Sequence, residues 1–310
     1  MGTSIAVSMV HGGGNDCVYP DNLSSLIGIV LDHAQFPDLH GQRILVKPNC
    51  LLGNALACTN PLVVLGVCSW LKAQGAGIIV ADSPGFGSVA SVAKSIGLAD
   101  GLKAMGIPLV SMGRCVWKKS VVLGKEVRIP LGERALACDR VFSLPRVKVH
   151  KQMLLSLAVK NCYGCVPGLH KACIHTFYGQ SRQFFASYIA AQFSLLPPVH
   201  AVVDGIVAMH GTGPSGGKPY PLGLLGACIS APLIDWIVAQ ILGLDPKTVP
   251  LCQAVVEQMP KNCQPYYPLE SPASWAVRDF AFPPLLTCSF APHRLLWSCL
   301  RRIAAQLFAR

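Results

Sequence analysis

Apolar stretches of two kinds alternate along the chain. The segments RILVKPN (43–49), GIIVADSPGFG (77–87), RVFSLPRVKVH (140–150) and VHAVVDGIVAM (199–209) hold short apolar runs bounded by polar or turn-forming residues. They read as strands. Segments 61–74 and 88–105 space their apolar residues as helices do, and Pro61 falls where a first helical turn tolerates proline. Strands interleaved with helices predict an α/β fold: a mostly parallel sheet with helices on both faces, in one or two lobes. From about 251 to 292 the rhythm gives way to a proline-rich segment expected to wrap the core irregularly. Residues 1–292 are thus read as one α/β body. Residues 293–310, HRLLWSCLRRIAAQLFAR, carry Leu296, Leu300, Ile303 and Leu307 on one helical face with arginines beside it. They predict a basic amphipathic helix able to dock on the core, a partner or an anionic membrane surface.

Composition sharpens one question. Apolar residues make up 52% of the 310 residues and charged residues only 13%, so a membrane span has to be considered. The best candidate, Leu222 to Leu244, is interrupted by Pro232 and Asp235. An ionisable residue at mid-bilayer is costly, which favours a buried core helix. The N-terminus lacks the basic region of a signal peptide. The 14 cysteines are scattered through apolar strings, as small core residues of a cytoplasmic protein would be.

Charge supplies the strongest functional signal. The formal net charge is +11, and from residue 140 to residue 203 the chain has no acidic residue. That stretch holds Arg140, Arg146, Lys148, Lys151, Lys160, Lys171 and Arg182, with four histidines. Unopposed cations beside glycines suit an anionic ligand. Few aromatics are interleaved with them, so nucleic acid is not the expected partner.

Ligands of open α/β sheets sit beyond the carboxyl ends of the strands. Lys47 and Asn49, Asp82 and Ser83, Lys148 and His150, and Asp204 are all placed there by the expected strands. In KVHKQMLLSLAVKNCYGCVPGLHKACIH (148–175), Lys148 and His150 share one strand face. Lys160 and Asn161 follow an apolar, helix-like stretch and introduce a turn in which Gly164 and Gly168 let backbone amides approach an oxyanion. His150 and His175 are candidate proton carriers at neutral pH. Asp82 and Asp204 are candidates to orient a cation or hydroxyl. Lys47, Asn49, Ser83, Lys148, Lys160, Asn161, Gly164, Gly168 and Lys171 are candidate anion-binding residues. The loop HGTGPSGGKP (210–219) adds Gly213 and Gly216 as a flexible cover. Cys162 and Cys165 form a lone C-x-x-C with no second pair to complete a metal site. The turn ADSPGFG (81–87) is neither G-x-x-x-x-G-K-[ST] nor G-x-G-x-x-G, and no H-E-x-x-H motif occurs.

The blocks ILVKPN, VADSPG, LPRVKVHKQMLLSLAVKNCYGCVPGLHKACIH and VVDGIVAMHGTGPSGGKP, followed by LGLLGACISAPLIDWIVAQILG, resemble in order and spacing the domain of unknown function 362 family (DUF362). Many members of that family carry a C-terminal ferredoxin-like module. Cys263, Cys288 and Cys299 are too far apart to supply its cluster ligands, so the resemblance implies an electron-delivering acidic partner only as a separate protein. His150, Lys160 and the GCVPG turn are more loosely similar to the lactate racemase family, which adds racemase chemistry to oxidoreductase chemistry as an analogy. Two functions are expected from these residues. One is an enzyme acting on a phosphate- or carboxylate-bearing small molecule. The other is an accessory protein binding an acidic redox partner or a metallocofactor.

Overall fold

The computed structural model describes residues 4–12, 22–85, 87–275 and 277–286. Thirteen strands occur among them: β1 (Ser4–His11), β2 (Arg43–Pro48), β3 (Gly77–Ala81), β4 (Leu109–Val110), β5 (Cys115–Val122), β6 (Lys125–Gly132), β7 (Arg140–Leu144), β8 (Arg146–His150), β9 (Leu154–Ser156), β10 (Val199–His210), β11 (Lys218–Tyr220), β12 (Leu224–Cys228) and β13 (Gln264–Tyr266). The main sheet runs β13-β1-β12-β10-β7-β2-β3-β4, with β8, β9 and β11 attached beside β10. Its β7-β2-β3-β4 portion is parallel throughout, while β12 pairs antiparallel with both β1 and β10. β5 and β6 form a separate hairpin.

Side-chain alternation along the central strands builds a core on each face of the sheet. Ile44, Val46, Phe142, Leu144 and Val202 join the helices Leu23–Asp32 and Pro61–Ala73 on one face. Leu45, Val141, Ala201 and Val203 join the helices Arg182–Ser194 and Ala231–Ile241 on the other. The apolar stretch from Leu222 is therefore β12 followed by an 11-residue core helix. Among the described residues no helix is long and apolar enough to cross a membrane.

Several expected elements are subdivided. The helix expected over 88–105 is two helices, Val89–Ser95 and Leu98–Ala104, parted by Gly97 at φ 77°. The strand expected over 140–150 is interrupted at Pro145, which has no N–H to donate to a ladder. β7 lies between β2 and β10, whereas β8 pairs with the far half of β10 and with β9. The stretch before Lys160 is β9 and then the short helix Ala158–Cys162, not one helix. The proline-rich segment contributes an edge strand, β13, parallel to β1. Residues 293–310 lie outside the described residues.

Candidate functional site

β3 lies on one side of β2, and the chain returns to place β7 on the other. This reversal leaves a crevice beyond the carboxyl ends of β2 and β7, the usual ligand position in open α/β sheets. A cavity of about 460 Å³ occupies it. Lys47, Asn49, Asp82, Ser83, Lys148, His150, Lys160, Asn161, Gly164, Gly168, Lys171 and His175 all line it.

Its floor is a chain of buried polar contacts. Lys47 Nζ lies 2.8 Å from Asp82 Oδ1, with exposures of 1% and 4%. It also donates to the Pro48 carbonyl and, at 3.1 Å, to Asn161 Oδ1. Asp82 accepts the backbone amides of Cys50 and Ser83 at 2.8 and 2.7 Å. Asn161 Oδ1 also accepts from Asn49 Nδ2, while its own Nδ2 donates to the Lys47 carbonyl and to Ser143 Oγ. Asn49 Oδ1 in turn accepts from Lys148 Nζ at 2.8 Å. Lys47 thus keeps its proton: burial opposes the charge, but Asp82 and the nearby thiols Cys165 and Cys50 raise its pKa. Asp82 has both oxygens committed to Lys47 and two amides. These contacts fix Asp82 in the floor of the cavity.

The short helix Ala158–Cys162 carries Lys160 and Asn161 into the cavity. Its first amides, those of Ala158 and Val159, donate to the two carboxylate oxygens of Asp235 at 2.8 and 2.9 Å. Asp235 belongs to the distant helix Ala231–Ile241. A negative charge at a helix N-terminus is favourable. Burial nonetheless pushes the Asp235 carboxyl up to about 7, with the two amides pulling it down. Lys160 Nζ stands 5.0 Å from the centre of the Tyr163 ring. Across the cavity, Lys171 Nζ donates to the Ser83 carbonyl and Gly168 N to Ser83 Oγ.

Three of the candidates expected from the sequence are not among the lining residues. Asp204 is fully buried within β10, where Oδ1 faces Arg146 Nη1 at 3.3 Å and Oδ2 accepts the Asn60 amide at 2.7 Å. It ties β10 to β8 and to the helix start at Asn60, and has no oxygen left over for chemistry. Gly213 packs against Val149, where an added Cβ would come within 2.2 Å of a backbone oxygen. Gly216 lies further along the loop, and Pro214 and Ser215 are the loop residues that reach the cavity. Cys162 and Cys165 are buried thiols. Burial pushes Cys162 up to about 12 and Cys165 also well above the usual range, so neither has the thiolate character of a redox dithiol. Among the described residues no group of three or more His, Cys, Asp or Glu side chains is placed to hold a metal ion.

Both histidines expected as proton carriers line the cavity. His150 Nδ1 accepts the amides of Gln152 and Met153 at 3.1 and 3.3 Å. Its lone pair is occupied, so the neutral ring carries its hydrogen on Nε2. Burial, then Lys160, His175 and Lys148, hold its pKa well below the ordinary value. His175 packs against Phe185 and Tyr163, and burial with Lys160 and Lys171 lowers it to about 3. Both rings are neutral at pH 7. His150 thus presents Nε2–H as a hydrogen-bond donor. Lys148, like Asp235, is shifted toward neutrality, brought down to about 7 chiefly by burial and further by Lys160 and Arg146.

Lys151, Gln152, Ser156, Tyr163 and Leu286 also line the cavity. Lys151 and Gln152 adjoin His150 in the sequence and were within reach of the motif. Leu286 was not: its amide reaches the Lys151 carbonyl at 2.8 Å from the proline-rich segment.

Residues 44–240 match a family model described as a domain of unknown function, DUF362. A thylakoid-associated protein of Synechocystis sp. is 33% identical over 252 residues, which cover 79% of this chain and 78% of that protein.

Proposed function

The chain belongs to the DUF362 family, and from that premise and the geometry of the cleft we propose that it is an enzyme whose substrate is a small phosphate- or carboxylate-bearing molecule. One observation carries the reading. Five lysines and a single aspartate line the cavity, and that aspartate is spent on Lys47. Lys160 and Lys171 stand half-buried at the cavity, and the excess of positive charge there suits a ligand anion. His150 adds a neutral Nε2–H donor, and a lysine titrating at about 7 supplies reactivity that a binding module does not need.

The test is calorimetry with inorganic phosphate and with lactate. The Lys160→Ala variant is expected to bind about ten- to a hundred-fold more weakly, from ~1.5–3 kcal/mol for a hydrogen bond to a charged group. Affinity for the parent protein is expected to fall as salt rises, less steeply than at an exposed site. Equal binding by parent and variant removes Lys160 from the site, and no binding of either anion sinks the reading.

A further inference from the structure

Two lysines are almost fully buried at the floor of the cleft, and they differ in one respect. Lys47 faces a carboxylate. Lys148 has two neutral oxygens as its hydrogen-bond acceptors, Asn49 Oδ1 at 2.8 Å and the Ala57 carbonyl at 2.6 Å. An ammonium carries three N–H groups and, when buried, needs a counter-charge. A neutral amine carries two N–H groups and a lone pair. Two acceptors place both hydrogens of the neutral form and leave the lone pair for a third direction.

The charged and titratable groups around Lys148 reinforce this. Lys160 and Arg146 repel its charge; Asp82 and the Cys58 thiol favour it, with Asp82 already paired to Lys47; His150 and Cys50 are also within electrostatic reach. Burial dominates, and the amine is brought down to about 7, against 10.5 for an ordinary lysine. A lysine desolvated beside other cations is the usual form of an activated amine nucleophile. The other two cleft lysines are differently held. Lys171 donates to the Ser83 carbonyl, and Lys160 lies over Tyr163.

We propose that Lys148 is a nucleophile that condenses reversibly with the carbonyl group of a carboxylate- or phosphate-bearing aldehyde or ketone. This rests on the anion-binding reading above, with Lys160 and Lys171 holding the anionic end. The Nζ lone pair attacks the carbonyl carbon, a C–N bond forms, and the π pair moves to oxygen. That oxygen takes a proton from the attacking nitrogen, then a second from solvent, and leaves as water. The nitrogen is left as an iminium with one N–H, which keeps one of the two acceptors. Nothing is oxidised or reduced. His150, with Nδ1 occupied, offers Nε2–H to the carbonyl oxygen as it gains charge.

The experiment is borohydride trapping on the full chain with pyruvate and, separately, with pyridoxal phosphate, followed by peptide mapping. A reduced adduct is expected on Lys148 in preference to the other lysines. Its yield should rise through about pH 7, and it should be lost in Lys148→Arg. Pyruvate against pyridoxal phosphate separates the carboxylate from the phosphate class. An adduct on Lys160 or Lys171 instead, or cleft labelling that rises only at the pH of exposed lysines, overturns the assignment. Mapping on the parent chain decides even where the variant fails to fold. Calorimetry with lactate and inorganic phosphate is run in parallel. Anion binding without an adduct defeats the amine chemistry alone, whereas neither binding nor adduct defeats the anion site and the amine chemistry with it.

Discussion

Asp82→Asn is expected to destabilise the protein by about 3–5 kcal/mol at neutral pH, the usual cost of removing one partner from a buried ion pair. The asparagine is nearly isosteric, so packing is not the cause. Asp82 takes three donors on its two oxygens: Lys47 Nζ, the Cys50 amide and the Ser83 amide. An amide side chain has one oxygen and one NH₂. Either orientation sets a donor against a donor, and Lys47 keeps a buried charge with no carboxylate. The effect has a defined pH dependence. In the parent chain Lys47 is raised above its unfolded value of 10.5, so its stabilising contribution is complete below that pH and is lost only as pH rises through the higher folded value. In the variant the Asp82 charge, first among the influences that oppose burial, is gone and the folded pKa is expected to fall below 10.5. The variant then recovers stability as pH rises between the two values, and the gap between parent and variant narrows. Urea unfolding at neutral and at alkaline pH measures this. A second substitution, Lys47→Met, should restore part of the loss, because it removes the stranded charge. A gap that stays constant with pH, or no rescue by the second substitution, would show that Lys47 and Asp82 do not act as a pair.

The parts of this site visible in the sequence are those fixed by strand periodicity. Lys47, Asn49, Asp82 and Ser83 stand at or just past the ends of β2 and β3, and parallel strands deliver such positions to one crevice. Lys148 and His150 share a strand face by parity alone. Asp204 departs from its expected place for a related reason. The strand expected over 199–209 is β10, but it changes neighbours from β7 to β8 partway along. Asp204 therefore sits mid-strand opposite Arg146, and no local pattern announces a change of neighbour. The hairpin β5–β6 is hidden in the sequence because only part of one face is buried: Val127, Ile129 and Leu131 pack inward while Trp117 and Val121 stay exposed. Its packing is settled by a remote contact, Tyr188 OH to the Arg128 carbonyl. Asp235 likewise acts across 77 residues on Ala158. The tautomer of His150 is set by two amides oriented by a turn, and its charge state by burial and the surrounding cations, neither of which residue type alone reveals.

Gly164→Ala should produce the second large effect, and it tests how rigid the floor is. An ideal Cβ at this position would stand 2.5 Å from both Asp82 Oδ1 and Lys47 Cε, and 2.6 Å from Lys47 Nζ. Neither partner can yield cheaply, since Lys47 is held by Pro48 and Asn161, and Asp82 by two backbone amides. Gly164 is not among the positive-φ glycines, so backbone strain is not the issue. In its short helical turn alanine would gain about 0.5–1 kcal/mol over glycine. Against that stand the ~1–3 kcal/mol of overpacking and the stretching of a buried ion pair, so a net loss of about 2–4 kcal/mol is expected. Relief can come only from moving the Tyr163–Cys165 turn outward, which displaces Lys160 and weakens anion binding as well. Gly168→Ala is the matched control. Gly168 has φ 56°, a left-handed conformation, but nothing within 4 Å of an added Cβ. It should lose about 1–2 kcal/mol from conformation alone. Thermal melts of the two variants therefore separate close approach from backbone freedom. If Gly164→Ala melts no lower than Gly168→Ala, the Lys47–Asp82 pair yields to a methyl group, and the floor of the cleft is not the fixed platform that anion binding by the lysines above it requires.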